Sequence, residues 1–244
     1  MGVNTSGRSQ KPIDFLMKWA AFFNSSVGKK FIMGLTGIFL ILFLIVHAGI
    51  NACIWAMDNG EMFNKAAHFM GSTVLIRILE VGLFIGFFIH IIQGLSLEWQ
   101  NRAKRRKGYQ VSMGNRESKW YSRSMGLLGS IILIFLIVHW KHFWVPGRFT
   151  GGFEEKIYNG VQVHDMYALM QQTFASPGVV ALYVIACISL CWHLIHGFQS
   201  AFRTIGVHNS KYLQLIHALG VGYSLLISTA FALMPISMHL GWVK

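Results

Sequence analysis

Charge is what this sequence has least of. Asp, Glu, Lys and Arg together make up 12% of the 244 residues, whereas 54% of the residues are hydrophobic. Soluble domains carry about twice that share of charge, so the composition excludes a water-soluble domain over most of the chain. Acidic residues are the scarcest, with 9 Asp and Glu against 21 Lys and Arg, and the location of this positive excess needs an explanation.

Cysteine is scarce as well. The three cysteines, Cys53, Cys187 and Cys191, lie in or beside apolar segments, and no C-x-x-C-H motif is present. Covalent attachment of a c-type haem is therefore not supported. We interpret the three thiols as small apolar side chains at helix contacts.

Long apolar segments take up most of the chain. Five of them are long enough to cross about 30 Å of hydrocarbon as helices, and they lie at residues 31–55, 72–99, 125–145, 177–202 and 213–238. The sequence therefore predicts an all-α integral membrane protein, with a single five-helix membrane domain over residues 31–244. For residues 1–30 we expect a cytoplasmic amphipathic segment at the membrane surface rather than a removable signal peptide, because charges such as Asp14 and Lys18 interrupt any apolar core there.

The positive charges are distributed unevenly between the two sides of such a bundle. With the N-terminus in the cytoplasm, 15 of the 21 lysines and arginines face the cytoplasm, and 8 of these lie in residues 102–123. By the positive-inside rule this predicts a cytoplasmic N-terminus and an outer C-terminus. The net charge of +12 then indicates contact of the basic run Lys104–Lys107 with lipid headgroups, or with the underside of a soluble partner, and not with nucleic acid.

The chain contains a repeat that carries histidine. Met33–His47 reads MGLTGIFLILFLIVH and Met125–His139 reads MGLLGSIILIFLIVH, and each is followed about one span later by HIIQG at His90–Gly94 or HLIHG at His193–Gly197. An ionisable residue inside a membrane span is by default a functional candidate, and imidazole is the commonest ligand for a metal ion or a haem iron. The four histidines are therefore the candidate site.

Depth sorts these histidines into two pairs. Counting 1.5 Å per residue from the nearest cytoplasmic basic residue places His47 and His139, the outer pair, about 25 Å from the inner edge. On the same count His90 and His193, the inner pair, lie about 15–18 Å from that edge, so the pairs differ in depth by about 7–10 Å. Two haems, each held between two axial imidazoles, satisfy this pattern, and such haems transfer electrons. The alternative is that each ring only hydrogen-bonds between helices, which needs a separate partner for each of the four.

Other polar residues in the spans leave alternatives open. His196 lies three residues after His193 on almost the same face, so it is an alternative fourth ligand or a contact for a haem propionate. Depth and the shared H-x-x-x-G spacing favour His193. Arg77 and Glu80 either form an ion pair at i,i+3 within one helix, or contact an outer propionate, or handle protons for a quinone, which makes them weak candidates for a quinone site.

As a set, these motifs resemble a known family. The set comprises FNKAAHFMG before the second span, HIIQG within it and HLIHGFQSAFR in the fourth. It is similar to the di-haem cytochrome b subunit of succinate dehydrogenase and fumarate reductase, in the single-chain form called the cytochrome b558 family. The resemblance extends from Ser25–Lys30 to the fifth span.

The resemblance implies the rest of the function. It implies a membrane anchor in a bacterial cytoplasmic membrane that binds two non-covalent b haems, with His47, His90, His139 and His193 as ligands. It implies a flavoprotein and an iron–sulfur subunit docked on the cytoplasmic face, with the dicarboxylate site outside this chain. Electrons pass from the inner to the outer haem and on to a quinone, usually menaquinone, or in the reverse direction. The oligomeric state, including a dimer of the whole complex, stays open.

Two other functions compete with this one. A di-haem cytochrome b that serves a different dehydrogenase, for formate or hydrogen, has the same spectrum and different soluble subunits. A transporter that relays protons through its histidines would contain no haem. Transporters often have inverted repeats, but the two-helix units here have the same orientation. An anchor that has lost its haems does not account for the intact set of four histidines.

Overall fold

The computed structural model describes residues 21, 25–104, 120–151 and 154–243. Within these residues, five helices are long and apolar enough to cross a membrane, which confirms a helical multi-pass architecture. We call them the first to fifth spans: Ser26–Ala56, Val74–Ala103, Met125–Phe149, Pro177–Thr204 and Ser210–His239. The expected surface segment at residues 1–30 and the basic residues 105–107 lie almost entirely outside the described part.

The span ends differ in detail from the expected ones. The first span begins at Ser26 because the side chain of Ser25 accepts a hydrogen bond from the Gly28 amide at 3.0 Å. The second span begins at Val74 and not at residue 72, because Ser72 ends a separate helix, Glu61–Ser72, and Thr73 is extended between the two helices. The third span is α-helical over Met125–His139 and continues in π-helical form to Thr150.

The connection between the third and fourth spans contains a small sheet, which departs from the all-α expectation. Strand β1, Glu155–Tyr158, pairs antiparallel with β2, Val161–His164. Asn159 and Gly160 form the turn and both have positive φ angles, 52° and 78°, as the two-residue turn of a tight hairpin requires. A short helix, Met166–Phe174, follows the hairpin.

This hairpin and the two short helices, Glu61–Ser72 and Met166–Phe174, cover one end of the bundle, which we call the cap end. The main hydrophobic core lies here and joins the cap to the fourth and fifth spans. Its buried members are Ile54, Phe63, Tyr167, Met170, Phe174, Tyr183, Met234, Met238 and Val243. The cap is therefore an integral part of the fold.

A buried polar network fastens the cap. Asn64 is fully buried, its amide donates to Asp165 Oδ1 at 2.9 Å, and its carbonyl oxygen accepts from the Tyr167 backbone N–H at 2.9 Å. Lys156 Nζ lies 2.8 Å from Asp165 Oδ2. Burial alone raises the pKa of Asp165, but hydrogen bonds from Lys156, Asn64 and the Ala168 amide outweigh it and hold this pKa below its ordinary value. The carboxylate therefore stays ionised although it is buried.

The opposite end carries Arg102, Arg123 and Arg203, and we call it the basic end. Small residues bring the spans close together there. A Cβ placed on Gly34 of the first span would lie 3.3 Å from Thr204, and one placed on Gly220 of the fifth span would lie 2.9 Å from Phe198. Such close approach is the usual way in which helices associate in lipid.

Candidate functional site

The four histidines of the repeat meet in two pairs. The ring centroids of His47 and His139 are 5.8 Å apart, and those of His90 and His193 are 6.4 Å apart. Each pair joins one histidine from the first two spans, unit one, to one from the third and fourth spans, unit two. The structure thus brings together the same partners that depth along the spans predicts.

The spacing within each pair suits two imidazoles that share one metal ion. A bond between a metal and an imidazole nitrogen is about 2 Å long. Since the ring centre lies about 1 Å behind that nitrogen, two rings on opposite sides of one ion have centroids about 6 Å apart. Among the described residues, the buried Nδ1 atoms of His139 and His193 have no hydrogen-bond partner. Hydrogen bonding within the protein therefore does not explain the position of these two rings.

Glycine leaves room beside the inner pair. A Cβ placed on Gly37 would lie 3.7 Å from Cε1 of His90, and one placed on Gly129 would lie 3.8 Å from Cε1 of His193. Gly37 and Gly129 occupy the same position in the two copies of the repeat. Each copy therefore keeps its neighbouring ring free of a bulky side chain.

Phenylalanine covers the outer pair. Phe43 stacks on His47 with centroids 5.1 Å apart, and Phe135 stacks on His139 at 5.5 Å. Both phenylalanines stand four residues before their histidine, one helical turn away, in the shared motif FLIVH. Phe231 of the fifth span approaches His47 to 5.6 Å. The outer rings therefore lie in an apolar setting built from both units and the fifth span.

The two pairs are further apart than the sequence predicts. The ring of His90 lies beside Thr36, and His193 lies beside Gly129. Thr36 precedes His47 by eleven residues, and Gly129 precedes His139 by ten. The two pairs are therefore separated by about 15 Å along the helices, whereas the sequence predicts about 7–10 Å. The expectation treated Lys30 and Arg102 as level. This is wrong because Gly94 lies beside Met33, three residues from Lys30 but eight from Arg102.

His196 lies outside both pairs. Its ring contacts Tyr121 of the short helix Trp120–Arg123, with centroids 6.4 Å apart, whereas His193 is the ring that faces His90. The geometry therefore favours His193 over His196 as the partner of His90.

Glu80 is bound mainly by a residue from another span. Its carboxylate accepts hydrogen bonds from Arg148 at 2.9 and 3.2 Å and from Trp144 at 2.8 Å. The expected ion pair with Arg77 is also present, but its closest distance is 3.5 Å. Glu80 and Arg148 thus link the second span to the π-helical end of the third.

Sequence reasoning missed the polar partners of two rings. Thr36 Oγ1 lies 3.2 Å from Nδ1 of His90, and the side-chain amide of Asn51 lies 3.5 Å from Nδ1 of His47. The sequence did contain a signal for these partners, because one repeat copy has a polar residue where the other has an apolar one. Thr36 aligns with Leu128, and Asn51 aligns with Phe143. The link between Glu80 and Arg148 had no such signal.

The donor set fits a haem better than a free metal ion. Within the described ranges, no three His, Cys, Asp or Glu side chains come together as a metal site, whereas a protein-bound zinc ion takes three or four such ligands. A haem iron already has four porphyrin nitrogens and takes only axial ligands from the protein. The two imidazoles at each site, with ring centroids 5.8 and 6.4 Å apart, match that requirement.

Comparison with known proteins gives an informative match. The chain is 28% identical over 190 residues to a Bacillus subtilis (strain 168) protein named succinate dehydrogenase cytochrome b558 subunit. The matched region covers 75% of this chain and 84% of that protein. No protein-family model matches the chain, and no solved structure matches it significantly. The similarity confirms, at the level of the family, the resemblance that the motifs indicate.

Proposed function

We propose that this chain is the membrane-anchor and electron-transfer subunit of a succinate:quinone oxidoreductase. It carries electrons between an iron–sulfur subunit and membrane quinone, and it holds two b haems. The name of the similar Bacillus subtilis protein supports the assignment to a succinate dehydrogenase cytochrome b subunit. The dicarboxylate site belongs to another subunit of the complex.

The observation that carries this proposal is the meeting of four span histidines in two pairs, each with the spacing of two imidazoles on one ion. His47 and His139 would hold the outer haem, and His90 and His193 would hold the inner haem. Each haem is clamped between unit one and unit two. Loss of any one ligand should therefore affect a single haem.

The protein's own part is to hold and shield the haems. A b haem with an imidazole on each side supplies one-electron transfer and has no open position for oxygen. Phe43 and Phe135 fix the outer rings by stacking and exclude water from them. Gly37 and Gly129 keep the faces of the inner rings accessible to a flat group.

Charge gives the orientation. The basic end faces the cytoplasm, as the positive-inside rule requires, and there it docks the iron–sulfur subunit, which in turn binds the flavoprotein. In that orientation the inner pair would lie nearest the iron–sulfur subunit. Quinone, taken to be menaquinone, would react near the cap end in a bacterial cytoplasmic membrane. Arg77 and Glu80 stay weak candidates for the quinone site, because Glu80 is bound by Arg148 and Trp144.

A pyridine haemochrome assay on the detergent-purified chain tests the proposal. We expect two b haems per chain in the wild type. His47→Ala and His139→Ala should each remove mainly one haem, and His90→Ala and His193→Ala should each remove mainly the other, distinguished by midpoint potential. His68→Ala, in the short helix Glu61–Ser72, is the matched control that keeps both haems, and loss of a haem in His196→Ala would make His196 the ligand in place of His193.

The outcomes separate this function from its rivals. A purified chain without haem, from cells that supply haem, would overturn the proposal and favour a proton-relay transporter. Retention of both haems in all four variants would overturn the ligand assignment. Co-purification of formate or hydrogen dehydrogenase subunits, instead of a succinate-oxidising flavoprotein, would identify a different partner enzyme.

A further inference from the structure

We propose that Thr36 is a positioning residue that fixes the tautomer and orientation of His90, so that the two ligands of the inner haem are held unequally. The inference rests on the proposed function. Thr36 lies on the first span, His90 lies on the second, and the atoms Oγ1 and Nδ1 are 3.2 Å apart. It is a contact between the two helices of unit one.

The single proton of the threonine hydroxyl determines the direction of this hydrogen bond. Thr36 Oγ1 lies 2.8 Å from the carbonyl oxygen of Ile32, one turn earlier, and 3.2 Å from that of Met33. A hydroxyl that donates its proton to a carbonyl has only lone pairs left. Thr36 therefore accepts from Nδ1–H of His90, which leaves Nε2 of that ring unprotonated and available to a metal.

Unit two lacks this arrangement. The position equivalent to Thr36 is Leu128, a buried apolar residue. The corresponding Nδ1 of His193 is buried and has no hydrogen-bond partner among the described residues. The glycine contacts of the two inner rings, at 3.7 and 3.8 Å, are nearly the same. The two units thus match in packing around the inner pair and differ in the group that holds Nδ1.

The difference has a chemical consequence. An acceptor on the second nitrogen fixes the orientation of a ligating imidazole and makes it a stronger base. A more basic ligand stabilises the ferric form, so loss of the Thr36 hydroxyl should raise the midpoint potential of the inner haem. Loss of the hydrogen-bond partner of a ligating histidine typically weakens metal binding 10–100-fold. Because Thr36 is a single neutral acceptor, its loss should weaken the binding of the inner haem about tenfold.

Thr36→Val is the decisive variant, because it keeps the shape of the side chain and removes the hydroxyl. In redox titrations of the purified chain, we expect a more positive midpoint for the inner haem and an unchanged one for the outer haem. The rate of haem transfer to an apo-globin acceptor should rise about tenfold for the inner haem only. Thr36→Ser, which retains the hydroxyl, should restore wild-type values.

Ser130→Ala is the matched control. Ser130 Oγ donates to the carbonyl of Gly126 at 2.8 Å, so this variant removes a similar bond within a helix. It should leave both potentials unchanged. An unchanged inner midpoint in Thr36→Val, in a chain that binds two haems, overturns the role of Thr36 alone. A wild-type chain without haem overturns the proposed function instead. If Thr36→Val does not fold, Thr36→Ala takes its place, and an inner midpoint in Thr36→Ala equal to that in Thr36→Ser overturns the role equally.

Discussion

The two halves of the bundle are held together in different ways. At the cap end, large side chains such as Phe63, Tyr183 and Met234 form a buried core, and a fully buried Asn64 joins a buried carboxylate. Towards the basic end, the buried contacts involve small residues such as Gly34 and Gly220. Large apolar side chains and the hydrogen bonds of Asn64 therefore hold the cap end together.

The half that contains the inner pair is packed around small residues instead. His193 keeps a buried Nδ1 without a partner in the described part of the chain, and glycine rather than a larger residue faces each inner ring. We infer that the cap end contributes most of the apolar packing, whereas the inner half leaves space beside its two histidine rings. Substitutions in the two halves should then affect different measurements.

The largest effect is expected beside the inner pair. Gly129→Leu would extend a side chain from a Cβ that lies only 3.8 Å from Cε1 of His193, and should displace this ring. The pyridine haemochrome assay should fall to about one haem per chain, since a ligand must be held within a few tenths of an ångström of its proper distance.

Gly82→Leu is the matched control for this substitution. Gly82 also lies within a span, but nothing is found within 4 Å of its Cβ position. Its haem content should equal that of the wild type. If Gly129→Leu had the same haem content as Gly82→Leu and the wild type, the space beside His193 would not be part of the site.

A smaller effect on a different measurement is expected at the cap end. Asn64→Ala removes the donor to Asp165 and the acceptor for the Tyr167 amide. The cost should be about 3 kcal/mol, because both partners are left buried without a hydrogen bond. Thermal unfolding in detergent should show the loss, with two haems still bound below the transition.

Gln172→Ala provides the comparison, since Gln172 is exposed on the neighbouring helix Met166–Phe174. It should change stability by less than about 0.5 kcal/mol. If Asn64→Ala were as stable as this control, the buried network would not be what fastens the cap.

The smallest effect is expected from pH. The pKa of Asp165 is held below its ordinary value of 3.8, so the ionised carboxylate stabilises the fold at any pH above that value. This contribution is lost as pH falls through the lowered pKa of the folded state. The unfolding temperature of the wild type should therefore fall more steeply below about pH 4 than that of Asp165→Asn. Parallel curves would assign the acid sensitivity to other groups.

Much of the site can be predicted from sequence because it is repeated. The copies of FLIVH mark His47 and His139, and the spacing of one span marks His90 and His193. The choice between His193 and His196 depends on how the fourth span is rotated. Residues three apart on a helix lie close to the same face, so their spacing alone does not determine which ring meets His90.

Contacts that depend on distant segments could not be predicted. Glu80 and Arg148 are 68 positions apart, and Asn64 and Asp165 are 101 positions apart. Neither pair has a periodic pattern or motif that connects it. The Asn-Gly pair at 159–160 is a local signal for the hairpin, but it lies in a loop where the apolar pattern indicates no element.

The sequence by itself determined the five spans and predicted an orientation and four candidate histidines, because hydropathy, charge bias and an internal repeat are properties of the chain order. The tertiary structure alone decided which rings face each other, how far apart the pairs lie and that Thr36 contacts His90. These depend on the rotation and level of each helix, which are set by packing between spans and not by the residues of any one span.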